Sequence, residues 1–108
     1  MSVIIVSYNI PSGVELQPYL GKVPGWIDRA LSGPGAVEFR AYRSIDGKEA
    51  LTITEYDSLA SAEKWLTSDK YKQLRNDMEK AGCKNIQVQT WDMSPLVAKP
   101  VRARASAT

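Results

Sequence analysis

The chain has 108 residues, enough for one domain, and its 14 basic and 12 acidic residues leave a net charge of +2. Lys99, Arg102 and Arg104 all fall in the last ten positions, so the rest carries −1 and is a poor partner for a phosphate backbone; nucleic acid is not an expected ligand. There is no histidine, which removes His-based metal sites, Ser–His and Cys–His nucleophile pairs and a histidine ligand for haem, and no metal-ligand spacing appears among the acids.

Cys83 is the single cysteine, so no intrachain disulfide can form, and a reduced, cytoplasmic setting is expected. The N-terminal run Met1-Ser-Val-Ile-Ile-Val-Ser has no basic leader and is far shorter than the roughly 18 residues of a membrane span. It reads as a strand, Val3 to Ile10, with Ile4, Val6, Tyr8 and Ile10 on one face and Val3, Ile5, Ser7 and Asn9 on the other. Pro11-Ser-Gly13 closes it.

Val14 to Leu31 follows a helical period, but Pro24-Gly25 interrupts it. Two pieces are expected, Glu15–Lys22 and Pro24–Leu31, because proline lacks the N–H and crowds the preceding turn. After Ser32-Gly-Pro-Gly35, residues 36–44 form a second strand and 49–56 a third, joined by Ile45-Asp-Gly-Lys48, whose Asp-Gly favours a tight two-residue hairpin. Asp57 or Ser58 caps a second helix, with Ala62, Trp65 and Leu66 and then Tyr71, Leu74 and Met78 on its apolar stripe. Thr67-Ser-Asp69 interrupts or re-caps it, and Gly82 ends it. Residues 86–93 make the last strand. The domain is thus 1–94, and residues 95–108, rich in Pro, Ala and Arg, read as a tail.

This β-α-β-β-α-β order predicts an α+β, ferredoxin-like fold with a four-stranded antiparallel sheet and both helices on one face. On the third strand Leu51 and Ile53 oppose Thr52, Thr54 and Tyr56; on the last, Ile86 and Val88 oppose Gln87, Gln89, Trp91 and Met93. The second sheet face then gathers hydroxyls and amides beside aromatics. Such a face calls for cover by another copy of the chain, giving a homodimeric α/β barrel with a cavity between each sheet and its helices.

The strand ending Thr54-Glu-Tyr-Asp-Ser58 and the helix Ala62-Glu-Lys-Trp-Leu-Thr-Ser-Asp-Lys-Tyr-Lys-Gln-Leu-Arg75, with Pro-Ser-Gly and Gly-Pro-Gly before them, resemble the antibiotic biosynthesis monooxygenase superfamily over residues 3–93. The resemblance implies a dimeric barrel and, in one branch, cofactor-free oxidation of phenol- or anthrone-type aromatics to quinones. That branch has a large aromatic at the end of the third strand and an arginine on the second helix, matched here by Tyr56 and Arg75. Its third-strand asparagine is Thr52 here, and its aromatic early in the helix is Ala62. Haem-degrading relatives share the tryptophan matching Trp65, but their histidine ten residues later is Arg75 here, so haem ligation of their kind is not expected.

Arg75 and Tyr56 are therefore the candidate catalytic residues. Arg75 would steady a substrate anion, against the plainer reading of a solvated arginine paired with Glu79 at i+4. Tyr56 would orient the substrate, against that of a core aromatic. Trp65, Thr52 and Asn9 are the candidate substrate contacts, though each also reads as core or interface. Cys83, flanked by Lys80 and Lys84, has no histidine to activate it, and Asp77/Glu79 and Asp46/Glu49 read as solvated surface. The expected partner is a small aromatic or apolar molecule, with no metal, cofactor or membrane. The alternative is a non-catalytic binding or assembly protein on the same barrel.

Overall fold

The computed structural model describes residues 1–104. In chain order it holds β1 (Ser2–Asn9), a single 3₁₀ turn (Gly13–Glu15), α1 (Leu16–Leu31), β2 (Ala36–Arg43), β3 (Glu49–Tyr56), α2 (Leu59–Leu66), α3 (Asp69–Lys80) and β4 (Lys84–Asp92). The strands lie in the order β2-β3-β1-β4, and every neighbouring pair is antiparallel. The helices cover one face, which makes this an α+β, ferredoxin-like fold. No helix of the described residues is long and apolar enough to cross a membrane.

Cross-strand register decides which side chains look at the helices. Ile4 stands opposite Thr54 and Thr90, Val6 opposite Thr52 and Val88, and Tyr8 opposite Ala50. Phe39 and Ala41 of β2 sit opposite Thr54 and Thr52, so they share that face. The expectation for β1 and β4 holds, but that for β3 is reversed. Thr52, Thr54 and Tyr56 lie on the helix-covered face, and Leu51 and Ile53 lie on the open one. Period-two alternation separates two faces without saying which is covered.

The expected break in the first helix is also corrected: α1 runs unbroken through Pro24. Pro24 and Gly25 are exposed, as is Leu20, so the turn that lacks the Pro24 N–H lies on the solvent side of the helix. Tyr19, Trp26 and Ala30 on the other side are buried and hold the helix to the sheet. Tertiary packing outweighs the local cost of the proline.

The second helix is interrupted where expected. Ser58 accepts the Ser61 N–H to start α2, and Ser68 accepts the Tyr71 N–H at 3.2 Å to start α3. Gly82, at φ 99°, ends α3, with Cys83 N–H donating to the Met78 carbonyl. The β2–β3 connection is longer than a two-residue turn. Ser44 N–H donates to the Glu49 carbonyl, and the Asp46 carboxylate accepts from Ser44 Oγ and Lys48 N–H inside the loop. Arg29 pairs with Asp77 at 2.7 Å and ties α1 to α3 at the half-exposed rim. Beyond Asp92 the chain is exposed and forms no helix or strand through Arg104. Positions 105–108 of the expected tail lie outside the described residues.

Candidate functional site

Between sheet and helices lies a cavity of about 470 Å³, within the usual range for small-molecule sites of about 300–1,000 Å³. Ile4, Val6, Tyr8, Phe39, Thr52, Thr54 and Ile86 form its floor. Tyr19, Val23, Trp26 and Ile27 of α1 form one wall, and Trp65 of α2 with Tyr71, Leu74, Arg75 and Met78 of α3 form the other. The cause is legible in β3, whose helix-facing row, Ala50-Thr52-Thr54, is too small to fill the space beneath aromatic walls. Leu20, Ala41, Arg43 and Gly47 line the cavity yet are exposed, and they mark its mouth near the β2–β3 end.

Trp65 is a buried wall residue, packed edge-to-face on Tyr71 with ring centroids 6.1 Å apart. Thr52 lines the floor, and its hydroxyl donates to the Val6 carbonyl at 3.2 Å, so towards a ligand it can only accept. Arg75 lines the wall while its guanidinium donates to the Ile86 carbonyl at 3.4 Å and stands 3.7 Å from Glu79. It therefore borders the cavity and also has the i+4 partner expected of a solvated arginine. The Glu79 pair exists, but it is long and half-exposed, a geometry worth little.

Two candidates are not brought to the cavity. Tyr56 has no exposed surface, and its hydroxyl points to the Ala30 carbonyl at 3.5 Å, outside the cavity lining. It is a core residue beneath the end of α1. Asn9 stands on the open face, opposite Glu49, and does not line the cavity either. In turn, sequence reasoning passed over the polar groups that do line it. Tyr8 and Tyr19 have hydroxyls 2.6 Å apart, and Tyr19 packs edge-to-face on Trp26 at 5.7 Å. Each tyrosine sits among the apolar residues of its own stripe; the signal was a phenol on each of two stripes. Arg43 at the mouth is the other omission. Among the described residues no carboxylate and no lysine lines the cavity, so the charged side chains in that lining are cationic.

Burial keeps these phenols neutral. It raises Tyr8 far above an ordinary tyrosine, helped by the bond to Tyr19, and it raises Tyr19 as well. Burial pushes Tyr56 up to about 12, and burial with the nearby Glu15 carboxylate pushes Cys83 up to about 11. Cys83 is therefore an inert thiol in the core. In the unfolded chain these groups ionise first, from their ordinary values of 9.0 and 10.0. The unfolded state then holds fewer protons, and stability falls as pH rises. The urea midpoint should be level up to about pH 9 and decline steadily above it. In Cys83→Ala the decline should begin about one pH unit later. A midpoint flat to pH 11 would contradict this account.

No protein-family profile matches the chain, and no curated protein sequence matches it. Solved structures match in shape. A Deinococcus radiodurans protein assigned to the antibiotic biosynthesis monooxygenases superposes with a TM-score of 0.74, covering 97% of this chain and 100% of its own at 8% identity. A mutant of SnoaB, a cofactor-independent oxygenase from Streptomyces nogalater, gives 0.71 over 91% of this chain and 97% of its own, at 8% identity. Rv0793 from Mycobacterium tuberculosis gives 0.67 over 90% and 97%, at 18% identity. The chain has the antibiotic biosynthesis monooxygenase fold. Within that fold the cavity lies between one sheet and its own helices, and the second sheet face is left open. At these identities the likeness is one of architecture. It transfers no residue role, so chemistry must be argued from the cavity.

Proposed function

We propose that the protein is a cofactor-independent monooxygenase that oxidises a small phenol- or anthrone-type aromatic to a quinone inside this cavity. The observation that carries the reading is Arg75 in the wall of a largely apolar and aromatic cavity that, among the described residues, has no carboxylate in its lining. An aromatic with an acidic C–H or O–H would lie among Trp26, Trp65 and Phe39 and lose its proton to water. The cationic wall would hold the resulting anion, and electrostatic stabilisation of that kind is a large lever in the absence of a general base. The anion gives one electron to dioxygen. The substrate radical and superoxide then combine into a C–O bond, and the hydroperoxide loses water to leave a carbonyl. In sum, a CH₂ and O₂ become C=O and H₂O. Oxygen uptake with anthrone in metal-free buffer tests this: consumption well above the buffer rate with anthraquinone as product supports it, and uptake equal to buffer overturns it.

Two observations favour the second reading, a binding protein without turnover. Arg75 already donates to Ile86 and faces Glu79, and Tyr56 is absent from the site. Such a protein would melt higher with anthrone present yet consume no oxygen.

The open sheet face supports a homodimer. Leu51, Trp91 and Met93 are 39%, 54% and 41% exposed there, beside half-buried Val3, Ile5 and Ile53. A single-layered sheet with such a row calls for cover. Light scattering should give twice the 11.9 kDa chain mass, and Trp91→Asp should return the single-chain value. A monomeric parent would remove the dimer and leave the cavity reading intact. A reducing, cytoplasmic setting suits a chain whose only cysteine is a buried free thiol.

A further inference from the structure

We propose that the Tyr8–Tyr19 hydroxyl pair is a ligand-binding dyad that donates one hydrogen bond to a neutral acceptor oxygen, the carbonyl of an aromatic ketone. The proposal rests on the reading of the cavity as an aromatic-substrate site and adds what that site recognises.

The geometry carries the argument. Two phenols whose oxygens stand 2.6 Å apart hold two O–H hydrogens, and only one of them can lie between the oxygens. The second hydrogen has no acceptor on the protein among the described residues: neither hydroxyl has another partner within hydrogen-bond range. A buried donor without an acceptor is costly unless something else supplies one. Both side chains line the cavity, whose walls offer no carboxylate. The Thr52 hydroxyl is turned to its own strand neighbour. The free hydrogen therefore has the cavity contents as its partner.

The chemistry of the pair narrows the class. Burial holds both phenols in the protonated form, so the dyad donates and does not act as a base. When the outer hydroxyl donates to a ligand, its oxygen becomes a better acceptor from the inner one, so the two bonds reinforce each other. The inner geometry is also fixed. Tyr8 sits on β1 in the sheet, and Tyr19 is held edge-to-face between Tyr8 and Trp26, at 6.1 and 5.7 Å. A ketone oxygen on an aromatic framework meets a positioned donor and apolar walls at once. A plain hydrocarbon would leave the donor without a partner.

Fluorenone and fluorene make the test, since they share a ring frame and differ in the carbonyl, and fluorenone has no CH₂ for the enzyme to oxidise. Their dissociation constants are measured by equilibrium dialysis for the parent and for Tyr8→Phe/Tyr19→Phe. Removing both hydroxyls together leaves no orphan, so this variant should keep the parent's melting temperature. The fluorenone-over-fluorene preference should fall about threefold to tenfold, the range of one neutral hydrogen bond, with fluorene binding unchanged. An unchanged preference overturns the dyad, as does a parent that binds neither compound. A second measurement needs no tyrosine variant: in Arg75→Ala, the carbonyl stretch of bound fluorenone should lie below its value in cyclohexane. An unshifted band overturns the proposal. If the preference falls but anthrone drives no oxygen uptake, the dyad stands and the oxygenase reading fails. If anthrone is oxidised but the preference is unchanged, the dyad alone fails.

Discussion

Arg75→Ala is expected to lower the rate of anthrone-dependent oxygen uptake by about a hundredfold to a thousandfold, the usual effect of removing one donor aimed at a developing negative charge. Its melting temperature should barely move. The side chain is 41% exposed, its pair with Glu79 is 3.7 Å long, and its bond to the Ile86 carbonyl is 3.4 Å. An i,i+4 pair of this kind contributes about 0.3–0.5 kcal/mol. Arg75→Lys should fall between parent and alanine variant, because the charge is kept while the planar fork is lost. Glu79→Gln should leave the rate unchanged or raise it, because Glu79 is outside the cavity and competes with the substrate anion for the guanidinium. Equal uptake by parent and Arg75→Ala would remove Arg75 from the chemistry.

Tyr56→Ala should have the largest effect on stability, about 3–5 kcal/mol, as for other large aromatics cut back in a core. Tyr56 is fully buried, and the site cannot collapse easily. At Gly33, two residues beyond the end of α1, an added methyl group would already touch the Trp65 ring at 3.0 Å and lie 3.6 Å from the Tyr56 hydroxyl. Tyr56→Phe removes only the long bond to the Ala30 carbonyl and should cost about 0.5–1.5 kcal/mol. Its oxygen uptake should match the parent's. Urea unfolding of both variants beside the uptake assay separates the two roles. A tenfold loss of uptake in the phenylalanine variant at an unchanged urea midpoint would return Tyr56 to the reaction.

Much of the architecture could be read from sequence because local signals agreed with one another. The alternation in Val3–Ile10, the serines at 58 and 68 and the glycine at 82 each have one local physical meaning, and the fold keeps all of them. The misreadings came where a non-local choice decided. Leu51 and Ile53 are the more apolar row of β3, so they looked like the inner one. The fold instead puts the small row, Ala50, Thr52 and Thr54, inward, and the space it leaves beneath the helices is the cavity. Pro24 looked like a break because its cost is local, while the burial of Tyr19, Trp26 and Ala30 that outweighs it comes from the sheet. Within the site, Arg75 stood out through the family resemblance, and Trp65 through that resemblance and its place on the apolar helical stripe. Tyr8 and Tyr19 did not, since their meeting depends on α1 lying across β1, which periodicity cannot show.

Ser68 also separates two settings that a single long helix would have locked together. Trp65 takes its direction from a helix begun at Ser58, and Arg75 takes its own from a helix begun at Ser68. One residue inserted within α3 ahead of Arg75 would swing the guanidinium by about 100° around the axis, while the tryptophan stayed where it is. The tryptophan and the arginine thus take their directions from separately capped helices, which meet across the break in the Trp65–Tyr71 ring contact.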